Sequence, residues 1–367
     1  MPMIAEAQSG DFAPDDADAW FHMFHRSLGV HLTMRCPLRC AHCSVHSGPE
    51  RHETVDGPLL LSRLEEMGRE GSVKRLCLSG GEPFLVRTLL MDILEIAERH
   101  GIVTIINTAA HWAGTPQRAR NTLRDIPDGV HIAVSADQYH TEFVPIDNVR
   151  NALQASLERG LFTALVLRAW DGESDPFTHE LRAFLGEELW SSVKLDIDVI
   201  KHVGRGEDLP RRTPQAPVRP DDIRAGYCDF ADQPVVDSDN TVLACCNTQG
   251  ARGAPHLHLG HLESDSVTGI TEKADRDLIL QAIRVWGPAA LRDLLKEGGL
   301  GHRLAAAYPD DSICHLCTDI CSKPDLVEYL QRRLNEPDLY AELAASRLLR
   351  YGESFPDLET REELERA

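Results

Sequence analysis

Residues 36–43 read Cys36-Pro37-Leu38-Arg39-Cys40-Ala41-His42-Cys43, and the predicted fold is built outward from them. The three cysteines are spaced C-x3-C-x2-C, and residues 30–33 before them are predicted to form a strand. Ordinary protein 4Fe–4S sites use four cysteines, so three thiols on one loop predict a cubic cluster with one iron left open. The alternative is a zinc site or scattered core thiols, although zinc prefers paired C-x2-C spacings closed by a second pair.

A second motif, Gly80-Gly81-Glu82-Pro83, comes about 40 residues later, directly after a predicted strand at 75–79. Glycines let the backbone approach a ligand closely. Together the two motifs resemble the signature of the radical S-adenosylmethionine (SAM) superfamily, although members usually have an aromatic residue where this chain has His42. The resemblance implies that Cys36, Cys40 and Cys43 hold a 4Fe–4S cluster whose open iron binds SAM. It further implies that Glu82 receives the SAM ammonium and that one electron from the cluster releases a 5′-deoxyadenosyl radical.

Strands and helices alternate from about residue 29 to residue 206. Asp56-Gly57-Pro58 is predicted to begin the first helix, and Gly71 to end it. Six β-α units in series predict an α/β fold with a parallel sheet and helices outside, and six are too few for a closed eight-unit barrel. The resemblance implies an open (β/α)6 partial TIM barrel. The six strands are predicted near 30–33, 75–79, 102–107, 131–135, 162–167 and 193–199.

Polar residues stand at the carboxyl ends of these strands, where ligands bind in such sheets. Ser135-Ala136-Asp137 resembles the family's S-x-D, whose Ser contacts SAM, and Gly204-Arg205-Gly206 resembles an element close to the adenosine. The alternative is ordinary loop chemistry at each position, and Tyr139 and His140 are weaker candidates. The residues predicted to contact SAM or substrate are Gly80, Gly81, Glu82, Pro83, Asn107, Ser135, Asp137, Arg168 (a partner for the SAM carboxylate) and Arg205.

A second group of cysteines lies toward the C-terminal end: Cys228, Cys245, Cys246, Cys314, Cys317 and Cys321. Residues 234–237 and 241–244 are predicted to form a hairpin, and the group resembles a SPASM/twitch auxiliary-cluster domain. Asn240 stands where that family has Gly, and Asn tolerates the left-handed conformation. Two auxiliary clusters would need eight ligands, so six thiols predict one auxiliary 4Fe–4S cluster. The resemblance implies Cys228, Cys245 and two of the remaining three (Cys314, Cys317 and Cys321) as its ligands; a structural zinc held by the same thiols is the alternative.

Two further features of this C-terminal part concern its histidines and the adjacent cysteine pair. His256, His258 and His261 alternate with leucines, which indicates a strand with histidines on its outer face rather than a metal site. Successive residues of an extended strand point to opposite faces, so Cys246 is predicted to face away from the cluster that Cys245 binds. A buried inert thiol is the commoner fate of a free cysteine. The alternative is a hydrogen-atom donor to a substrate radical, as in some radical SAM epimerases, with Cys77 as the rival thiol but predicted to be core.

Composition excludes several classes of protein. The net charge of −20 argues against a nucleic-acid surface, which would need a basic stripe. The sequence has no apolar run long enough to predict a membrane span, and the acidic N-terminal residues do not resemble a signal peptide. Ten cysteines without an export signal indicate metal ligation rather than disulfides. These features predict a cytoplasmic protein.

The predicted organisation is an N-terminal extension (1–28), the partial barrel (29–206), a linker (207–227), a small cysteine-rich auxiliary-cluster domain (228–325), and C-terminal helices with an acidic tail (326–367). The extension is too short for the leader-binding domain of many peptide-modifying relatives. The first functional hypothesis is therefore oxidation, epimerisation or rearrangement of a small molecule, such as an aminoglycoside-type carbohydrate. The alternatives are a maturase of a ribosomally synthesised peptide and a non-catalytic iron–sulfur or zinc protein. The resemblance also implies a flavodoxin- or ferredoxin-type electron donor.

Overall fold

The computed structural model describes residues 27–209, 217–228, 230–231 and 233–355. Most of the predicted N-terminal extension, Pro210 and Pro214 of the linker, and the acidic tail after Phe355 lie outside the described residues. Among the helices that are described, none combines the length and the apolar character needed to cross a membrane.

Among the described residues, nine strands form a single sheet in the order β6-β5-β4-β3-β2-β1-β7-β8-β9. The first six pair in parallel through successive neighbours, with helices in the connections. This is the predicted α/β arrangement of an open six-stranded partial barrel, which is confirmed. The strands are β1 (Ser27–Thr33), β2 (Arg75–Gly80), β3 (Val103–Thr108), β4 (Val130–Ser135), β5 (Phe162–Ala169), β6 (Lys194–Val199), β7 (Val235–Val236), β8 (Thr241–Leu243) and β9 (His258–His261).

The helices begin and end at residues whose chemistry fits those positions. The Asp56 side chain accepts a hydrogen bond from the Leu59 N–H at the start of the first helix, and Gly71 ends that helix with φ +66°. The helices of the barrel are α1 (Gly57–Glu70), α2 (Arg87–Arg99), α3 (Pro116–Leu123), α4 (Gln138–Thr141), α5 (Ile146–Glu158), α6 (Pro176–Leu185) and α7 (Glu187–Ser191). Those that follow are α8 (Thr248–Arg252), α9 (Val267–Arg276), α10 (Leu278–Val285), α11 (Pro288–Glu297), α12 (Ile313–Cys321), α13 (Pro324–Leu334) and α14 (Pro337–Tyr351).

The C-terminal hairpin extends the barrel sheet. β7 pairs in parallel with β1, with Gly29 opposite Val235, and β8 pairs antiparallel with β7. Asn240 turns the hairpin with φ +67°, the left-handed conformation predicted from its place in the motif. The predicted division into a barrel and an auxiliary-cluster domain stays a prediction. The sheet continues from one of these predicted domains into the other through the pairing of β1 with β7.

Two features of the C-terminal helices bear on the second group of cysteines. The Asp277 side chain accepts a hydrogen bond from the Leu280 N–H, so that α9 ends and α10 begins there. The segment that carries Cys314, Cys317 and Cys321 is the helix α12. Leu257, Leu259 and Leu262 are buried, as their alternation with the histidines predicted.

Candidate active site

The glycine motif after β2 holds the segment that carries the first three cysteines. The Gly81 N–H donates to the Thr33 carbonyl (2.6 Å), and the Glu82 N–H donates to the Arg35 carbonyl (3.0 Å). A Cβ at Gly81 would lie 2.1 Å from the Arg35 carbonyl oxygen, and Gly80 has φ +105°. The two glycines are therefore required by close backbone approach to the cysteine segment.

The three cysteines lie on an irregular loop after β1. Cys40 is buried and packs with Leu38, Tyr139 and Ile200, while Cys36 and Cys43 are half-buried against the same apolar cluster. Burial raises the pKa of Cys36 to about 12. Because thiolates are the metal ligands, binding of iron by this loop releases protons.

Glu82 is fully buried, and its carboxylate is held at the end of β3. It accepts hydrogen bonds from the Thr108 hydroxyl (2.9 Å), the Ala109 N–H (3.0 Å) and the Phe84 N–H (3.2 Å). The carboxylate thus anchors the glycine motif to the neighbouring strand. Its predicted contact with the SAM ammonium stays a prediction.

Arg205 contacts the cysteine loop directly. Its Nε donates to the Cys40 carbonyl (3.0 Å), its Nη1 to the Ser47 carbonyl (2.7 Å), and its backbone N–H to the Cys43 carbonyl (3.0 Å). A Cβ at Gly204 would lie 2.4 Å from the Ser44 carbonyl oxygen, so the turn must be glycine to approach so closely. Nη2 of Arg205 is buried and has no partner among the described residues, which leaves one donor free for a ligand.

Asp137 lies beneath the cysteine loop and binds two histidines. Its Oδ2 lies 2.8 Å from His140 Nδ1 and 3.1 Å from His42 Nε2, and the side chain is buried. These three are the only group among the described residues whose possible metal donors all lie within 4.8 Å of one another. The His42 ring stacks on Tyr139 at 5.0 Å, and its Nδ1 is buried and lacks a partner in the described part of the chain. In the sequence alone, His42 is only a departure from the family pattern, and His140 is a weak candidate for contact with SAM or substrate.

The remaining predicted residues line the inner face of the sheet, and two of them already have partners. Arg168 forms a bidentate ion pair with Asp196 (2.9 and 3.1 Å), so a SAM carboxylate would share or displace that pair. Asn107 Nδ2 donates to Cys77 Sγ at 3.2 Å, and Ser135 is half-buried at the end of β4.

The prediction that Cys77 belongs to the core is wrong. Leu76 and Leu78 of β2 are fully buried, whereas Cys77 between them is half-buried on the opposite face. The physical reason is the alternation of side chains along a strand, which turns Cys77 into the space enclosed by the barrel. Burial raises the pKa of its thiol to about 11.

The second group of cysteines comes together around α12. Burial raises the pKa of Cys228, and the charges of Cys246, Cys317 and Cys314 add to that shift. Burial likewise raises the pKa of Cys314 to about 11, with contributions from Cys246 and Cys317. Cys321 is almost fully buried in the apolar core, and its thiol raises the pKa of Cys317. The thiols of residues 228, 245, 314 and 317 therefore influence one another, although no three of them lie within 4.8 Å of one another in the described part of the chain.

The reason given for separating Cys245 from Cys246 does not hold. β8 ends at Leu243, so the pair lies beyond the strand, and the Cys246 thiol raises the pKa of Cys245. The Cys245 thiol lowers the pKa of Cys246, against burial and with help from the charge of Lys201.

Cys246 is nevertheless exposed. Its thiol interacts with His31 on β1, Cys77 on β2 and Lys201 just after β6. These three residues lie on or beside the first, second and last strands of the partial barrel.

Sequence reasoning missed one further cluster. Asp310 lies 2.7 Å from His202 Nδ1 and 3.1 Å from His315 Nε2. Burial raises the pKa of Asp310, but these histidines and the Ser312 N–H outweigh it and lower the value to about 2. His315 stands between Cys314 and Cys317, and that position beside cysteines was the signal that could have found it.

The family model described as the radical SAM superfamily matches residues 30–162. Over 315 residues the chain is 20% identical to YydG of Bacillus subtilis (strain 168), named as a candidate peptide biosynthesis protein. That match covers 84% of this chain and 95% of YydG.

Solved structures of proteins bound to peptides are among those similar to the chain. Native anSMEcpe with bound AdoMet and the Cp18Cys peptide is 11% identical, with a TM-score of 0.52, and the match covers 84% of this chain and 99% of that one. This likeness shows the fold. Streptococcus suis SuiB bound to the precursor peptide SuiA is 12% identical, with a TM-score of 0.48; the match covers 67% of this chain, which spans 64% of SuiB.

Proposed function

Residues 30–162 form a radical SAM domain, and from that premise we propose that this enzyme modifies a ribosomally made peptide. The observation that carries the proposal is the match to YydG, a protein named for peptide biosynthesis, because it extends over nearly the whole of that protein. The peptide bound in the anSMEcpe structure, which has the same fold, gives further support. This reverses the order of the two enzymatic hypotheses from the sequence, in which a small molecule came first.

The predicted cofactors of the radical SAM domain, a 4Fe–4S cluster and SAM, are confirmed with the domain itself. Together they supply a 5′-deoxyadenosyl radical. We assign the cluster to Cys36, Cys40 and Cys43, whose loop is fixed by Gly81 and Arg205. Two buried nitrogens without partners among the described residues, His42 Nδ1 and Arg205 Nη2, would suit the polar groups of SAM.

One auxiliary cluster is proposed on Cys228, Cys245, Cys314 and Cys317. Cys314 and Cys317 are one helical turn apart, about 4.5 Å along the axis, so their thiols point to the same side. Cys321 is a full two turns from Cys314, about 10.5 Å, and it is almost fully buried in the apolar core. Its proposed role is to support Cys317 rather than to bind iron.

Cys246 is proposed to return a hydrogen atom to the substrate, which would make the reaction an epimerisation. The adenosyl radical takes the hydrogen atom from the α-carbon of one residue and leaves as 5′-deoxyadenosine. The S–H bond of Cys246 then breaks, its hydrogen bonds to that α-carbon from the opposite face, and a thiyl radical remains. One electron from a flavodoxin- or ferredoxin-type donor and one solvent proton restore the thiol. The support is that Cys246 is exposed and that its thiol interacts with His31 on β1, Cys77 on β2 and Lys201 just after β6.

The test uses the anaerobically reconstituted full chain with SAM and a reductant in deuterated water. The substrates supplied are synthetic peptides for each short reading frame beside the gene and, separately, an aminocyclitol. We expect one peptide to stimulate 5′-deoxyadenosine formation and to gain one deuterium at an α-carbon whose configuration inverts.

The matched control for Cys246→Ala is Cys77→Ala, because Cys77 is the rival candidate for the hydrogen-atom donor. Cys246→Ala should still form 5′-deoxyadenosine but lose deuterium incorporation and inversion, while Cys77→Ala keeps both. Full activity of Cys246→Ala would contradict the donor role and leave Cys246 with a packing role only. Stimulation by the aminocyclitol and by no peptide would restore the small-molecule hypothesis.

A further inference from the structure

One histidine–carboxylate pair lies within the sheet itself, on the face that lines the enclosed space of the barrel. His31 is on β1, and its neighbours Val30 and Leu32 are fully buried in the core on the other face of the strand. The register of β1 with β2 places Gly29 beside Cys77, which faces the enclosed space. Because side chains alternate along a strand, His31, two residues after Gly29, faces the same space.

Asp237 holds the His31 ring in one orientation. Its Oδ1 lies 3.2 Å from His31 Nδ1 and accepts the Ser238 N–H at 2.8 Å, while its Oδ2 accepts from Arg252 Nη2 at 2.7 Å. Burial raises the pKa of Asp237, but His31 and Arg252 outweigh burial and hold that pKa below its usual range. An ionised carboxylate only accepts hydrogen bonds, so a neutral His31 ring carries its hydrogen on Nδ1 and has Nε2 as an acceptor.

The Nε2 atom of His31 has no hydrogen-bond partner among the described residues. The ring lies against the glycine motif, because a Cβ at Gly80 would be 3.1 Å from the Cβ of His31. The cysteine loop, to which SAM is assigned, begins only after β1 ends at Thr33, whereas His31 lies within the strand. A fixed acceptor without a partner, placed below that loop, is suited to a donor group of the substrate.

We propose that Nε2 of His31 accepts a hydrogen bond from a backbone N–H of the substrate peptide and so orients the residue whose α-carbon reacts. A peptide backbone fits this acceptor because every residue except proline offers one N–H donor. Asp237 does not touch the peptide; it is a positioning residue that acts by fixing the ring. This inference rests on the proposed function, the modification of a peptide.

The experiment measures binding of the synthetic peptide that stimulates 5′-deoxyadenosine formation by the wild type. The peptide carries a fluorescent dye, and its anisotropy is followed with the anaerobically reconstituted full chain and SAM, without reductant, so that no turnover occurs. In His31→Leu we expect the Kd for the peptide to rise about tenfold, which equals about 1.4 kcal/mol, and the Kd for SAM to stay unchanged. His31→Gln can donate to Asp237 through its amide N–H and accept through its amide oxygen, so it should keep most of the affinity.

A series of peptides, each with one backbone N–H replaced by N–CH3, separates a direct contact from a structural effect. One peptide of the series should bind the wild type about tenfold more weakly than the parent peptide does. The same peptide should bind His31→Leu as well as the parent does, because one hydrogen bond cannot be lost twice. Losses that add to the His31→Leu effect at every position of the series overturn the proposal.

The matched control is His256→Leu, which removes a ring of similar burial that also lies 3.2 Å from a carboxylate, that of Asp277. It should leave both dissociation constants unchanged. Wild-type peptide affinity in His31→Leu, or a loss of affinity for SAM alone, overturns this inference and leaves the proposed function intact. If no peptide stimulates the wild type, both are overturned. If His31→Leu does not fold, Asp237→Asn, which keeps the ring but no longer fixes its tautomer, replaces it, and wild-type affinity there overturns the inference equally.

Discussion

The two cysteine segments of the molecule carry the same arrangement of side chains on different backbones. In the first, His42 stands before Cys43 and shares Asp137 with His140. In the second, His315 follows Cys314 and shares Asp310 with His202. One segment is an irregular loop after β1, and the other is the helix α12. A buried carboxylate between two histidines is thus compatible with either backbone.

The difference lies in what fixes the thiols. The loop has no repeating hydrogen bonds of its own, so Gly81, Glu82 and Arg205 hold it from outside through its carbonyl groups. The helix fixes its thiols by its internal geometry, with a rise of about 1.5 Å per residue. Substitution of the residues around a cysteine segment should therefore disturb the loop more than the helix. Removal of a thiol should affect only the cluster of the segment that carries it.

The largest effect is expected when Cys36, Cys40 and Cys43 are all replaced by alanine. Without the loop thiols the SAM-binding cluster has no ligands, so 5′-deoxyadenosine formation should fall to the background without enzyme. Iron and sulfide analysis of this variant should still give about four of each per chain, the content of one cubane. Undiminished SAM cleavage would show that the loop does not hold the cluster. About eight irons and eight sulfides per chain, or stoichiometric zinc, would contradict the prediction of a single auxiliary 4Fe–4S cluster.

A more selective loss is expected within α12. Cys317→Ala should remove the auxiliary cluster, lower iron by about four per chain, and stop product formation while SAM cleavage continues. Cys321→Ala is the matched control one turn further along the same helix, and it should keep both iron and activity. Equal iron loss in the two variants would mean that Cys321 is a ligand and that the assignment from burial is wrong.

The smallest effect is expected from Gly81→Ala, which keeps every thiol. The new Cβ would lie 2.1 Å from the Arg35 carbonyl oxygen, so the loop must move, at a cost of about 1–3 kcal/mol in the free energy of unfolding. Thermal unfolding and iron content after reconstitution measure the effect. Gly129→Ala is the control, because a Cβ there has nothing within 4 Å. If both variants behave alike, the glycine motif does not hold the loop by close approach.

Much of the barrel could be predicted because its signals are local. The apolar alternation predicted six strands, and Asp56 and Gly71 marked the ends of the first helix with side-chain or backbone chemistry that needs no distant partner. The same holds for Asn240, whose left-handed conformation follows from its place in a hairpin. The cysteine loop and the glycine motif could be paired because their spacing is distinctive.

The contacts that complete the site could not be predicted, since they join residues far apart in the chain. Asp137 and His42 are separated by 95 positions in sequence, and Asp310 and His202 by 108. The direction of Cys77 depended on the phase of β2, and an error of one position moves a side chain to the other face. The prediction for Cys246 assumed that β8 continued to Cys246, three residues further than it does.

The pairing of β1 with β7 has a consequence for how the chain folds during synthesis. β1 lies between β2 and β7, and the Gly29 N–H donates to the Pro234 carbonyl, about 200 residues later. Until that part of the chain has left the ribosome, β1 presents unpaired backbone groups on one side, and an exposed strand edge invites aggregation. The cysteine loop that follows β1 therefore rests on a strand whose support is completed late, so cluster insertion before release of the C-terminal part would meet an unfinished sheet.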